Sequence, residues 1–110
     1  MDIGTNKFMR MIVFFDLPVQ TKRQRRLATK FRNTLLKDGF DMLQFSVYSR
    51  IIRNDCNVEK HLNAIRGLLP EEGNVRVLTV TEKQYASMEF LVGAKTPQEK
   101  HIACEQLCLF

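Results

Sequence analysis

The sequence is poor in the residues from which a self-contained active site is usually built. It has only two histidines, His61 and His101. Neither has a nucleophile and an orienting carboxylate for company, so a histidine-activated triad is not indicated, and both read as surface residues. The cysteines, Cys56, Cys104 and Cys108, are odd in number and form no CxxC pair. That argues against a disulfide framework and against a zinc knuckle. His101, Cys104 and Cys108 read as a polar residue and small apolar neighbours on a short C-terminal element. All five glycines fall at breaks or helix ends, which leaves no Gly-rich loop to cradle a phosphate. No aromatic RNA-binding signature is present. No apolar run reaches the roughly 18 residues of a membrane span, and the first residues, MDIGTNKF, lack the apolar core of a signal peptide. The expectation is a cytoplasmic protein with no membrane partner. Its 110 residues suffice for one domain with a modest core.

Acidic residues are missing from one stretch in particular. Between Lys22 and Lys37 stand Lys22, Arg23, Arg25, Arg26, Lys30, Arg32 and Lys37, with no Asp or Glu among them. Like charges at helical spacing repel, and a merely solvated helix face interleaves its signs. The net charge of +5 is thus concentrated, and such a patch points to a polyanion partner, most often nucleic acid.

The rest of the chain is organised around Met9 to Pro18, MRMIVFFDLP. The short apolar run of β-branched and aromatic residues predicts a strand buried on both faces and central in a sheet. Pro18 cannot donate to a ladder and stops it. Asp16 sits where the strand emerges, and a carboxylate there is costly unless hydrogen-bonded, paired or metal-bound. It either caps the next turn or serves as a metal ligand or acid/base group at the sheet edge. One carboxylate is a poor Mg²⁺ site. Across a two-fold axis one Asp16 becomes two, and two carboxylates could grip a metal while arginines steer a phosphate backbone.

In chain order, Phe8–Leu17 is the first strand. Thr21 and Gln24 form a capping box that opens a helix closed by Gly39. Its inward face is Leu27, Ala28, Phe31 and Leu35. Phe40–Ile52 is strand-like but too long for one strand, and is split near Gln44–Ser46. A second helix runs to about Leu69, with Val58, Leu62, Ile65 and Leu69 inward and Pro70 after it. Val75–Thr81 is a strand, Thr81–Tyr85 one helical turn with its own capping box, and Ser87–Gly93 a fifth strand. The order β-α-β-β-α-β predicts an α+β, ferredoxin-like sandwich. The fifth strand has no place in that sheet, so it is expected to pair with a second copy in a homodimer. Residues 1–93 form this core domain, and 94–110 a tail that covers the dimer seam or a partner.

With these residues placed, the chain resembles the CRISPR-associated protein two family, the small subunit of the spacer-acquisition machinery, also described as a CRISPR-associated endonuclease. The likeness covers about Met9 to Gly93. It rests on MIVFFDLP, on the basic helix ending KDGF, on QFSVYSR and on LTVTEKQYASMEFLVG, and is nearest in form to type II-A members from low-GC Gram-positive bacteria. The resemblance implies a ferredoxin-like homodimer with the fifth strand exchanged. It implies a heterohexameric complex in which the CRISPR integrase flanks that dimer and double-stranded DNA is held. The family's proposed metal ligand falls on Asp16, its basic helix residues on Arg23 and Arg25, and its serine–aromatic motif on Ser46 and Tyr48, with Phe15 beside the site. Tyr48 stands where many members have phenylalanine, and Met42 where some nuclease-active members carry arginine.

Three readings follow. The first is a DNA-binding scaffold for the integrase, with Lys22, Arg23, Arg25, Arg26, Lys30 and Arg32 on the nucleic acid. The second is an endonuclease dependent on Mg²⁺ or Mn²⁺ that cuts RNA or DNA through paired Asp16 carboxylates. The third is a toxin-like RNase.

Overall fold

The computed structural model of the chain describes residues 8–53 and 56–93. Strand β1 (Phe8–Asp16) lies inside the sheet, between two neighbours. Its side chains alternate across the two faces, as a period of two requires. Met9, Met11, Val13 and Phe15 point one way, and three of these, Met11, Val13 and Phe15, are buried. Onto that face pack helix α1 (Lys22–Lys37), through Phe31 and Leu35, and helix α2 (Cys56–Arg66), through Ile65. Full burial of each large apolar side chain contributes on the order of 1.5–3 kcal/mol, so this single seam carries most of the fold.

The predicted split of Phe40–Ile52 is found at the expected place. Strand β2 (Asp41–Gln44) turns through Phe45 and Ser46 into β3 (Val47–Arg53). No glycine marks this turn; Ser46 itself adopts the left-handed conformation, with φ 63°, a region that glycine and asparagine enter more cheaply. Strand β4 (Asn74–Thr81) completes an antiparallel sheet of order β2-β3-β1-β4. The ferredoxin-like α+β order is therefore present. A short helix, α3 (Glu82–Ala86), follows with its predicted capping box, Gln84 N–H donating to Thr81 Oγ1 at 3.0 Å.

Four expectations need correction. First, β1 is not closed on both faces. On the side away from α1 and α2, Ile12 and Ser49 are buried, but Phe8, Phe14, Ile51 and Leu78 are each between 39% and 51% exposed. Second, Ser87–Gly93 forms no strand within the single chain; Leu91 is 89% and Val92 97% exposed. Third, α2 ends at Arg66, where Gly67 follows, so Leu68 rather than Leu69 packs toward the core. Fourth, His61 is not a surface residue. It is buried, with Nδ1 2.9 Å from Asp38 Oδ2.

That last contact joins α2 to the end of α1. Arg50 of β3 completes the junction, donating to the Asp38 carbonyl and lying 3.7 Å from its carboxylate. Cys104, Cys108, His101 and the predicted tail lie outside the described residues. Among the described residues no helix is long and apolar enough to cross a membrane.

Candidate nucleic-acid interface

Helix α1 begins on the expected box, Gln24 N–H donating to Thr21 Oγ1 at 3.1 Å and Thr21 N–H to Gln24 Oε1 at 3.0 Å. Its first turn contains no acid. The N-terminal end of a helix carries positive partial charge and favours anions, so Lys22, Arg23 and Arg25 raise the potential where acids would normally lower it. A cluster that repels itself and opposes the helix dipole is held there at a cost in stability.

The structure separates the basic residues into two groups. Arg26 and Lys30 are exposed and share a shallow groove of about 540 Å³ with Arg25, Thr29, Asn33, Thr34 and Lys37. Here three hydroxyl or amide side chains stand among four cations, the mixture that holds phosphate oxygens by charge and by hydrogen bond. The second group is tied down. Arg25 Nη1 donates to the carbonyls of Val19 at 3.0 Å and Gln20 at 3.1 Å, and Arg32 Nη2 to Thr29 Oγ1 at 3.2 Å. Arg23 lies 3.8 Å from Glu71 in a solvent-exposed pair, worth little in water. Lys22 is exposed at the helix start.

Asp16 lies elsewhere. It is the exposed last residue of β1, opposite Asn74 of β4. Gly73 fits against its carbonyl; a Cβ there would come 2.6 Å from the Asp16 oxygen. Around Asp16 is an open cleft of about 350 Å³ whose other walls are Phe14, Phe15, Phe45, Ser46, Val47, Asn74 and Arg76. Ser46 is joined to β1 directly, its carbonyl accepting from Phe15 N–H at 3.0 Å. Tyr48 is not at the cleft. Its ring is buried on the helix side, 5.5 Å from Phe15, which meets Phe31 edge-on at 5.1 Å. Of the serine–aromatic pair, then, the serine lines the cleft with Asp16 and the aromatic supports the core behind it. Met42 is exposed on β2.

Among the described residues no group of three His, Cys, Asp or Glu side chains could hold a metal ion. One chain brings one carboxylate to the cleft, and Asn74, a neutral ligand, is its nearest register partner. A single chain offers Mg²⁺ one carboxylate, the low end of the one or two it takes alongside phosphate oxygens and waters.

Three features escaped the sequence. Phe45, Asn74 and Arg76 reach Asp16 only through strand register, and the Asp38–His61–Arg50 junction only through tertiary packing. The third is a buried arginine: Arg10 donates to Glu82 through Nε at 2.8 Å and Nη2 at 3.1 Å, and lies 4.2 Å over the Tyr85 ring. No local spacing signals such a pair across 72 positions.

Comparison with known proteins agrees with the geometry. Residues 9–88 match the family model described as CRISPR associated protein Cas2. The chain is 56% identical over 102 residues to a protein of Acidovorax ebreus named CRISPR-associated endoribonuclease Cas2, covering 93% of this chain and 100% of that one. Proteins of the same name from Campylobacter jejuni and Flavobacterium psychrophilum are each 45% identical, over 95 and 100 residues. These matches cover 86% of this chain and 66% of the Campylobacter protein, and 91% of this chain and 86% of the Flavobacterium protein. The likeness to type II-A members rests on the sequence resemblance alone. A ferredoxin-like sheet, a basic first helix and an aspartate ending β1 thus coincide with a match across most of the chain, and the protein belongs to the CRISPR associated protein Cas2 family.

Proposed function

We propose that this chain is a subunit of the CRISPR spacer-acquisition complex, a homodimer that binds double-stranded DNA and scaffolds the integrase. The observation that carries this reading is the exposed basic groove of α1, with Arg25, Arg26, Lys30 and Lys37 around Thr29, Asn33 and Thr34. Such a surface contacts phosphates and not base edges, so binding is independent of sequence and falls steeply with salt. The homodimer is supported by two apolar surfaces in the single chain. One is the sheet face holding Phe14, Ile51 and Leu78, and the other is the segment with Met88, Leu91 and Val92. Exposed contiguous apolar surface of this kind marks an interface.

The test is an in vitro spacer-integration assay that combines this protein, its integrase partner and a labelled short duplex. Wild type and Asp16→Asn integrate equally on the scaffold reading. The combined variant Arg26→Gln/Lys30→Gln/Lys37→Gln fails to support integration. Full integration by that variant contradicts the proposal.

A second reading is favoured by the exposure of Asp16 within its cleft and by the endoribonuclease name its relatives carry. In it, Asp16 of one copy and Asp16 of a second copy hold Mg²⁺ or Mn²⁺, which supplies an activated water and neutralises developing phosphate charge. The Asp16→Asn variant then loses cleavage of labelled RNA or DNA altogether. Cleavage that persists in Asp16→Asn, or in excess EDTA, removes this reading. No observation favours the toxin-like RNase expectation over these two.

A further inference from the structure

We propose that Phe45 is a base-stacking residue, and that the cleft beside Asp16 takes one unpaired nucleotide of an RNA or DNA strand between Phe45 and Arg76. The inference rests on the reading of this chain as a nucleic-acid-binding protein, and extends it to a second site away from the groove of α1.

Phe45 is 82% exposed, while Phe15, Phe31, Phe40, Tyr48 and Tyr85 are all buried. It contributes nothing to the core. It also stands in a two-residue turn, where Asn-Gly would suit the backbone better and where Ser46 takes the left-handed conformation in place of glycine. An exposed ring and an uncommon serine conformation side by side make a poor turn and a good platform. The platform is fixed, because Gln44 pairs with Val47 behind it and the Ser46 carbonyl accepts from Phe15 N–H, one residue before Asp16. A ring held on fixed backbone loses little freedom when a base stacks on it.

The surroundings suit a nucleotide. The cleft of about 350 Å³ lies at the small end of the usual range for ligand sites. Phe45 gives it an apolar wall, and Arg76 an exposed cation for a phosphate. The Asp16 carboxylate accepts hydrogen bonds and repels phosphate, so it selects the amine or imide edge of a base and leaves the phosphate to Arg76. A paired base offers neither its face nor that edge, whereas an unpaired one offers both. The α1 groove holds a duplex by its backbone; this cleft holds a single nucleotide by its ring.

The chain contains no tryptophan, so Phe45→Trp introduces a single fluorophore at the proposed contact. The experiment titrates this variant, in EDTA, with an unstructured pyrimidine 12-mer as RNA, the same 12-mer as DNA, and a blunt-ended DNA duplex. Both single strands are expected to quench the tryptophan and the duplex is not; the tighter-binding strand identifies RNA or DNA as the source. In the same buffer Phe45→Ala weakens single-strand binding by about 5- to 150-fold, leaves duplex affinity within about two-fold, and leaves the oligomeric state by light scattering unchanged. Absence of quenching by single strands while the duplex still binds overturns this proposal alone. A Phe45→Ala protein that loses both affinities equally, or changes its oligomeric state, assigns the ring to a subunit contact and also overturns it. If wild type binds neither strand form, the nucleic-acid reading itself falls, and this inference with it.

Discussion

At the scale of single residues, two positions are held by contacts that a sequence does not announce. Gly73 has φ of 100° and no room for a Cβ against the Asp16 carbonyl. A side chain there strains the backbone and pushes β1 from β4 beside the cleft. Gly73→Ala is expected to destabilise the fold by about 1–3 kcal/mol in urea unfolding. Gly67→Ala, with its nearest contact at an ordinary 3.6 Å, stays within about 1 kcal/mol of wild type. Equal stability of the two variants would refute the close-approach argument. His61 is the second position. Its bond to Asp38 Oδ2 is half-buried, the Asp38 side chain being 39% exposed, so His61→Ala removes one hydrogen bond and costs about 0.5–1.5 kcal/mol, measured the same way. A loss below about 0.5 kcal/mol would mean that solvent or Arg50 replaces the bond. The residue-level reading succeeded where chemistry is local and failed where it is not. Thr21, Gln24 and Gly39 declare a helix start and stop within a few positions. His61 has no visible partner until the helix that carries it packs against the end of α1.

At the scale of elements, most of the fold was legible because each piece carries its own period. The capping box of α1, the helical spacing of Ala28, Phe31 and Leu35, and the capping box of α3 all survive in the structure. The split of Phe40–Ile52 was legible from length alone, without a turn signal. The end of α2 was misplaced because Leu68 and Leu69 continue an apolar pattern past Gly67, and Gly67 decides the boundary. Ser87–Gly93 forms no strand in the single chain, where the expected partner is a second copy. Apolar alternation in Met88, Phe90 and Val92 specifies a strand only if an edge is offered, and in the proposed homodimer a second copy would offer it. The basic stretch was read correctly as a helix, but helical spacing does not say which of its cations bond to the protein. In the structure Arg25 and Arg32 are engaged with the protein, while Arg26 and Lys30 face outward. Thr21→Ala, which removes the cap, is expected to cost about 1 kcal/mol of stability by thermal or urea unfolding while leaving duplex affinity near wild type. A large loss of affinity with unchanged stability would show that Thr21 touches the ligand.

At the scale of the whole molecule, the sheet has one face closed by α1 and α2 and another on which Phe14, Ile51 and Leu78 are exposed. The proposed homodimer covers that face. Leu78→Glu therefore gives a folded monomer in light scattering, with far-ultraviolet circular dichroism unchanged. A dimer of undiminished stability would place the subunit contact elsewhere. The basic helix lies on the opposite side of the sheet from that face, so two copies joined there present two α1 grooves outward, as a scaffold for an extended polyanion requires. The candidate site was legible in outline, as a carboxylate at a strand end and a basic helix. Its division into a phosphate groove and a separate carboxylate cleft follows only from the strand register that sets Asn74 and Arg76 beside Asp16. The measurement that tests the central claim most directly is duplex affinity as a function of salt, for wild type and for Arg26→Gln/Lys30→Gln/Lys37→Gln. The account predicts a linear fall of log K with log salt, the same for unrelated duplex sequences, with the slope smaller by about 3 in the variant for each α1 groove engaged. An unchanged slope, or tight binding that ignores salt, would contradict it.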